Sequence, residues 1–113
     1  MPLTHKPAAQ SGTLPLLFPN TPNAFLGDSV GTTSAAPIAA GFFRMEKGEP
    51  LVYEYTYDEA KLIVEGEVTI TDETGESVVG RPGDVFLFPK GTTITFEAKD
   101  YALAFYVGQR PQL

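Results

Sequence analysis

The sequence predicts an all-β fold, a single small sandwich or barrel, and three observations carry that prediction. From Phe42 onward short apolar or alternating runs follow one another with no helical period. Glycine and proline are many for this length, 11 and 10 of the 113 residues, and favour short strands and tight turns over long helices. An apolar fraction of 42% beside a charged fraction of 19% is the composition of a globular chain, and this length gives one domain with one core.

The elements follow in order. Residues 1–40 are rich in Pro, Ala, Ser, Thr and Gly and are expected to form an irregular N-terminal arm. Two apolar pieces in it, Leu14 to Phe18 and Ala24 to Leu26, are suited to edge strands, and Gly27 to Ala36 reads as a loop. The barrel is expected over residues 41–113. Phe42 to Glu46 is a short strand ended by Lys47-Gly48-Glu49-Pro50. Leu51 to Tyr57 alternates, with Tyr53, Tyr55 and Tyr57 on one face and Val52, Glu54 and Thr56 on the other. Ala60 to Glu65 and Glu67 to Asp72 flank Gly66. Glu73-Thr74-Gly75-Glu76 is a hairpin turn, Ser77 to Gly80 pairs back, and Arg81-Pro82-Gly83-Asp84 turns the chain again. Val85 to Phe88 is wholly apolar and stops at Pro89-Lys90-Gly91. Thr92 to Glu97 alternates, Lys99-Asp100 turns, and Tyr101 to Val107 closes the fold. Seven or eight strands at this spacing indicate a sandwich or barrel.

Composition excludes several functions. There is no cysteine, hence no disulfide, thiolate metal site or cysteine nucleophile. The net charge of −6 repels phosphate backbones, and no basic stripe appears, so no nucleic-acid partner is expected. No run reaches the roughly 18–20 apolar residues of a membrane span, and no secretory leader is legible, so a cytoplasmic location without membrane contact is expected. No glycine-rich turn leads into a helix to hold a phosphate. The single histidine, His5, lies in the arm, too far from the strands to serve as the base of a serine triad.

Two segments carry more than turn chemistry. In Glu59-Ala60-Lys61-Leu62-Ile63-Val64-Glu65-Gly66, a glutamate is followed by six residues and a glycine. In Gly83-Asp84-Val85-Phe86-Leu87-Phe88-Pro89-Lys90-Gly91, a glycine, five residues, a proline, one residue and a glycine recur. Sixteen residues separate Gly66 from Gly83. The pair resembles the two motifs of the cupin superfamily, which implies a jelly-roll β-barrel. Tyr57-Asp58-Glu59, the run to Gly66, Phe88-Pro89-Lys90-Gly91 and Phe105-Tyr106-Val107 are most similar to the ethanolamine-utilisation type. Some members of that type are linked to acyl-phosphate or acetate-kinase-like chemistry, which the resemblance extends to this chain as one option.

Metal-binding cupins place two histidines before the first-motif glutamate and a third after the second-motif glycine. Those positions hold Tyr53 and Tyr55 here, or Val52 and Glu54 in a longer register, and Ile94. No transition metal and no other cofactor is therefore expected. If Glu59 faces inward as the resemblance implies, Lys61, Tyr53 and Tyr55 share its face as candidate catalytic residues, with Ile63, Ile94, Phe96 and Tyr106 lining a substrate site. Glu59 would act as base, Lys61 would hold its charge state, and the phenols would donate to a developing oxyanion. That chemistry is metal-independent isomerisation, dehydration or lysis of a small oxygenated metabolite. The alternatives are a solvated Glu–Lys surface pair with ordinary strand tyrosines, and a non-catalytic ligand-binding or assembly module. The resemblance also implies a homodimer, paired through edge strands or exchange of the arm.

Overall fold

A computed structural model describes residues 2–113. Nine strands form two antiparallel sheets: β1 (Ala24–Gly31), β2 (Ala39–Glu46), β3 (Leu51–Glu54), β4 (Glu59–Gly66), β5 (Val68–Thr71), β6 (Ser77–Gly80), β7 (Val85–Phe88), β8 (Thr93–Glu97) and β9 (Tyr101–Gly108). The first sheet has the order β1-β2-β9-β4-β7, the second β3-β8-β5-β6. They face each other as a jelly roll and enclose one core, built from Phe43, Met45, Leu51, Tyr55, Ile63, Phe88, Ile94, Phe96 and Tyr106 among others.

Period-two patterning decides which side chains enter that core. Along β4, Glu59, Lys61 and Ile63 are buried while Ala60 and Leu62 are exposed. A one-residue slip would reverse every one of these. Pairing fixes the neighbours: Glu59 lies opposite Phe88 and Gly108, Lys61 opposite Phe86 and Tyr106. At the end of β4, Gly66 takes φ +70, and a β-carbon there would overlap the Tyr101 carbonyl oxygen. The glycine that closes the first motif is thus a backbone requirement.

One reading of the sequence is corrected. Gly27 to Ala36 is not all loop, because β1 runs on to Gly31, paired with β2 from Ala24↔Met45 to Gly31↔Ala39 across an irregularity after Asp28. Its glycines misled: a β-carbon on Gly27 would lie 3.1 Å from the Leu14 side chain and one on Gly31 2.9 Å from Gln112, while Gly41, opposite Asp28 on β2, has no room for a β-carbon at all. The small residues allow a close approach rather than a turn. The two apolar pieces of the N-terminal arm pair with each other. Leu17 N–H donates to the Ala24 carbonyl, Leu26 N–H donates to the Pro15 carbonyl, Leu16 bridges to Phe25, and Leu17 packs on the core. Before it, a 3-10 turn at Ala9–Ser11 lies against β2.

The apolar strand β7 is also less buried than its composition implies. Phe88 is 3% exposed, but Val85 and Leu87 are 74% and 69% exposed on the outer side. No helix among the described residues is long and apolar enough to cross a membrane.

Candidate functional site

The interior between the sheets is polar at one end. Glu59 and Lys61 are both almost completely buried, at 2% and 3% exposure. Lys61 Nζ donates to Glu59 Oε2 at 2.7 Å. The Tyr55 hydroxyl donates to the same oxygen at 2.5 Å and accepts from Lys61 Nζ at 3.3 Å. Tyr55 follows β3 as extended chain, tied by its N–H to the Thr92 carbonyl and by its carbonyl to the Gly91 N–H, so its ring enters from the opposite sheet. Tyr53 and Tyr57 share a 2.8 Å hydrogen bond between their hydroxyls, and their rings pack on Tyr55 at 4.8 and 5.5 Å.

The Lys61 ammonium sits in a cage of aromatic faces. Its nitrogen is 4.8 Å from the Phe43 ring centre, 5.2 Å from Tyr106, 5.4 Å from Phe96 and 5.9 Å from both Tyr55 and Phe88. Ring quadrupoles stabilise a cation in such a place. Burial nonetheless pushes Lys61 below its ordinary value, against the pull of the Glu59 carboxylate. Tyr55 is pushed far up, first by burial and then by the Glu59 charge, so its phenol stays a proton donor. Burial raises Tyr57 and Tyr106 in the same way.

A second buried pair adjoins the first. Asp28 on β1 accepts from Arg110 Nη1 and Nη2 at 2.9 Å each, from the Tyr106 hydroxyl at 2.5 Å and from the Leu113 N–H at 2.8 Å. Burial raises its carboxyl, but these donors outweigh that and hold it below the ordinary value. The Arg110 guanidinium lies 5.4 and 5.6 Å from the Tyr57 and Tyr106 ring centres. Its Nε is buried without a partner. This pair holds Tyr106 of the Lys61 cage, packs on Tyr57 and ties down the C-terminal segment. Nothing in the sequence patterning singled it out. Asp28 lay in the stretch read as loop, and Arg110 follows the last strand.

All eight residues proposed from the sequence face the interior, though in two groups. Tyr53, Tyr55, Glu59 and Lys61 form the polar cluster, with Tyr106 beside them, while Ile63, Ile94 and Phe96 are core packing. They do not enclose a ready pocket. The space between Leu17, Leu26, Phe43, Leu51, the three tyrosines, Glu59, Lys61 and Phe96 is only about 10 Å3. That is about one water. Leu17 and Phe18 close it from outside the sheets, with Phe18 stacked on Tyr53 at 6.3 Å. Glu54, Lys90 and His5 are exposed.

The cluster does not suit the metal of other cupins. Tyr53, Tyr55 and the buried Ile94 stand at the histidine positions, and the one carboxylate already faces an ammonium that would repel a divalent ion. Among the described residues, no three His, Cys, Asp or Glu come together as a ligand group.

Comparison with known proteins follows this geometry. Residues 20–111 match the model of the family described as ethanolamine utilisation protein EutQ. The acetate kinase EutQ of Salmonella typhimurium is 32% identical over 82 residues, which are 73% of this chain but 35% of that protein. This chain therefore spans about a third of that relative. A crystal structure of a putative ethanolamine utilization protein Q from the same species superposes with a TM-score of 0.68 at 30% identity. It covers 80% of this chain and 71% of that one. The cupin domain of Schizosaccharomyces pombe Cnp3 superposes with a TM-score of 0.70 at 16% identity, over 88% of this chain and 69% of that one, a likeness of fold.

Proposed function

The chain belongs to the family of the ethanolamine utilisation protein EutQ, and from that premise we propose a metal-independent enzyme of the isomerase or lyase type acting on a small oxygenated metabolite. One observation carries the reading: a buried ammonium and a buried phenol converge on a single oxygen of a buried carboxylate, Glu59 Oε2. A buried ion pair is costly to maintain, and apolar residues of like volume would often be no less stable. Its presence inside an aromatic core favours a working role over a packing role.

The chemistry follows from the three groups. Glu59 takes a proton from carbon next to a carbonyl, and the C–H electrons move onto the carbonyl oxygen. Tyr55, held protonated, donates a hydrogen bond to that developing enolate, and the caged Lys61 charge stabilises it. Where the deprotonated carbon carries a hydroxyl, that hydroxyl's proton passes to the enolate oxygen and a new carbonyl forms at that carbon. Glu59 then returns its proton to the former carbonyl carbon, which completes an isomerisation. Expelling a β-substituent with its electron pair completes an elimination. A substrate enters when Leu17 and Phe18 swing off the tyrosines, which makes the arm the access route.

A second reading is favoured by the size of the interior. With about 10 Å3 free and every group of the cluster paired, the same residues serve as the polar core of a non-catalytic module. The acetate kinase activity in the name of the longer relative is a third, which the cluster supports with no phosphate cradle of its own.

The deciding experiment is a turnover panel of small hydroxy acids, keto acids and aldoses, with acetate plus ATP as a separate arm. Wild type is compared with Tyr55→Phe, which keeps the ring, and with Glu59→Gln/Lys61→Met, which removes both charges together. The enzyme reading expects turnover that falls at least tenfold in Tyr55→Phe and is lost in the double variant while both remain folded. No turnover by wild type, or turnover insensitive to both variants, overturns it. Activity confined to acetate plus ATP replaces it with the kinase reading.

A further inference from the structure

We propose a second binding site: the cleft between edge strands β6 and β7 takes a small primary amine with a ring-sized apolar group, the ring between the sheets and the ammonium at the β5-β6 turn. β6 is an edge of the four-stranded sheet and β7 an edge of the five-stranded sheet. Where the two edges meet, Gly80 admits the Phe86 ring, since a β-carbon there would lie 2.9 Å from it. Two residues earlier the sheets have parted. Val78 lies opposite Ile70 and points inward with it, yet Ile70 is 5% exposed and Val78 47%. Its neighbour Val79 lies opposite Thr69 and belongs to the outer face. An inward-facing valine half open to solvent marks a gap between the sheets.

The gap is a cleft of about 290 Å3. Its floor is apolar, made by Ile70, Val78, Ile94 and the rings of Phe86 and Phe88, which stack with centres 6.1 Å apart. An apolar cavity of about 150 Å3 holds a benzene ring, so this one holds a ring and a chain of about two or three carbons. Phe88 also stacks on Tyr55, at 5.1 Å, but neither Glu59 nor Lys61 lines the cleft. It is therefore a separate site from the cluster around Glu59 Oε2.

Charge decides the class of ligand. Asp72, Glu73 and Glu76 line the cleft at the β5-β6 turn, and none of them is in an ion pair among the described residues. Asp72 Oδ1 accepts from the Thr74 hydroxyl and N–H and from the Glu76 N–H. These bonds hold the turn in shape and keep the Asp72 carboxyl below its ordinary value. No lysine or arginine lines the cleft, and Lys90, next to the lining Pro89, is not part of its wall. Three carboxylates beside an apolar floor favour a cation with an apolar body and oppose a carboxylate of the same shape.

Backbone amide NMR titrations with 2-phenylethylammonium, 2-phenylethanol and 3-phenylpropanoate test this on the wild type, on Glu73→Gln/Glu76→Gln and on Val78→Arg. With the wild type, the ammonium is expected to bind with a Kd on the order of 1 mM and to shift amides along β6 and β7. The alcohol should bind about five- to tenfold more weakly, and the carboxylate more weakly still. Glu73→Gln/Glu76→Gln should narrow the gap between ammonium and alcohol to less than about threefold, with an unchanged Tm because both side chains are exposed. Val78→Arg, which sets a cation across the opening, should abolish ammonium binding. The proposal is overturned by no shifts with the ammonium up to about 20 mM, or by shifts centred on Tyr53 to Tyr57 instead of the cleft. Equal affinity for ammonium and carboxylate overturns it too, as does a gap that survives both glutamines.

Discussion

Lys61 Nζ lies 2.7 Å from Glu59 Oε2, two residues away on the same strand, and both side chains are sealed from solvent. On a strand, residues two apart point the same way, so the pair is set by β4 itself, and Tyr55 then reaches it from the facing sheet. Neither charge has water to fall back on. That dependence makes each partner strongly sensitive to loss of the other.

Removing one partner strands the other in the core. Lys61→Met and Glu59→Gln are each expected to cost about 3–5 kcal/mol, whereas the double variant should cost much less than their sum. Urea denaturation of the four proteins measures the coupling. Additive losses would show that the two charges do not depend on each other.

The Asp28–Arg110 pair gives the chain an acid limit. Asp28 is held below its ordinary 3.8 in the folded state, so between its folded and unfolded values the unfolded chain binds more protons. Its contribution is therefore complete above about pH 4–5 and is lost as pH falls through the depressed folded value. Asp28→Asn should cost about 3–5 kcal/mol at pH 7. Relative to wild type, that gap should shrink between pH 4 and pH 2 in a series of Tm measurements. A gap independent of pH contradicts the assignment.

Leu17 is the half-buried plug over the cluster. Leu17→Ala should cost about 1–2 kcal/mol, less than a fully buried leucine. It should also raise the solvent accessibility of the tyrosines. Ultraviolet solvent-perturbation spectra report the phenols directly. Spectra identical to wild type would show that the arm does not shield them.

How much of this was legible in the sequence depends on what kind of signal each residue gave. Strand β4 was legible, but the inward direction of Glu59 and Lys61 followed only from the resemblance and its Glu59-to-Gly66 spacing, because alternation alone would turn Ala60, Leu62 and Val64 inward. Ile94 was legible as a non-ligand because an aliphatic side chain has no donor. Strand β1 was legible only to Leu26, because Gly27 and Asp28 are turn-forming residues whose real job is close strand contact and a long-range ion pair. Asp28 and Arg110 are 82 positions apart, and only the register of β1 on β2 and of β2 on β9 brings them together. The plug formed by Leu17 was equally hidden, since tertiary packing alone distinguishes it from the exposed Leu16 beside it.

The central claim is that Lys61 is a dry, Glu59-paired ammonium at the heart of the barrel. Labelling the lysines with 13C at Cε and following each through a pH titration by NMR tests it most directly. The account predicts that Lys61 titrates below the ordinary 10.5 and that Glu59→Gln lowers it further. Lys61 titrating at or above 10.5, or unmoved by Glu59→Gln, would contradict it.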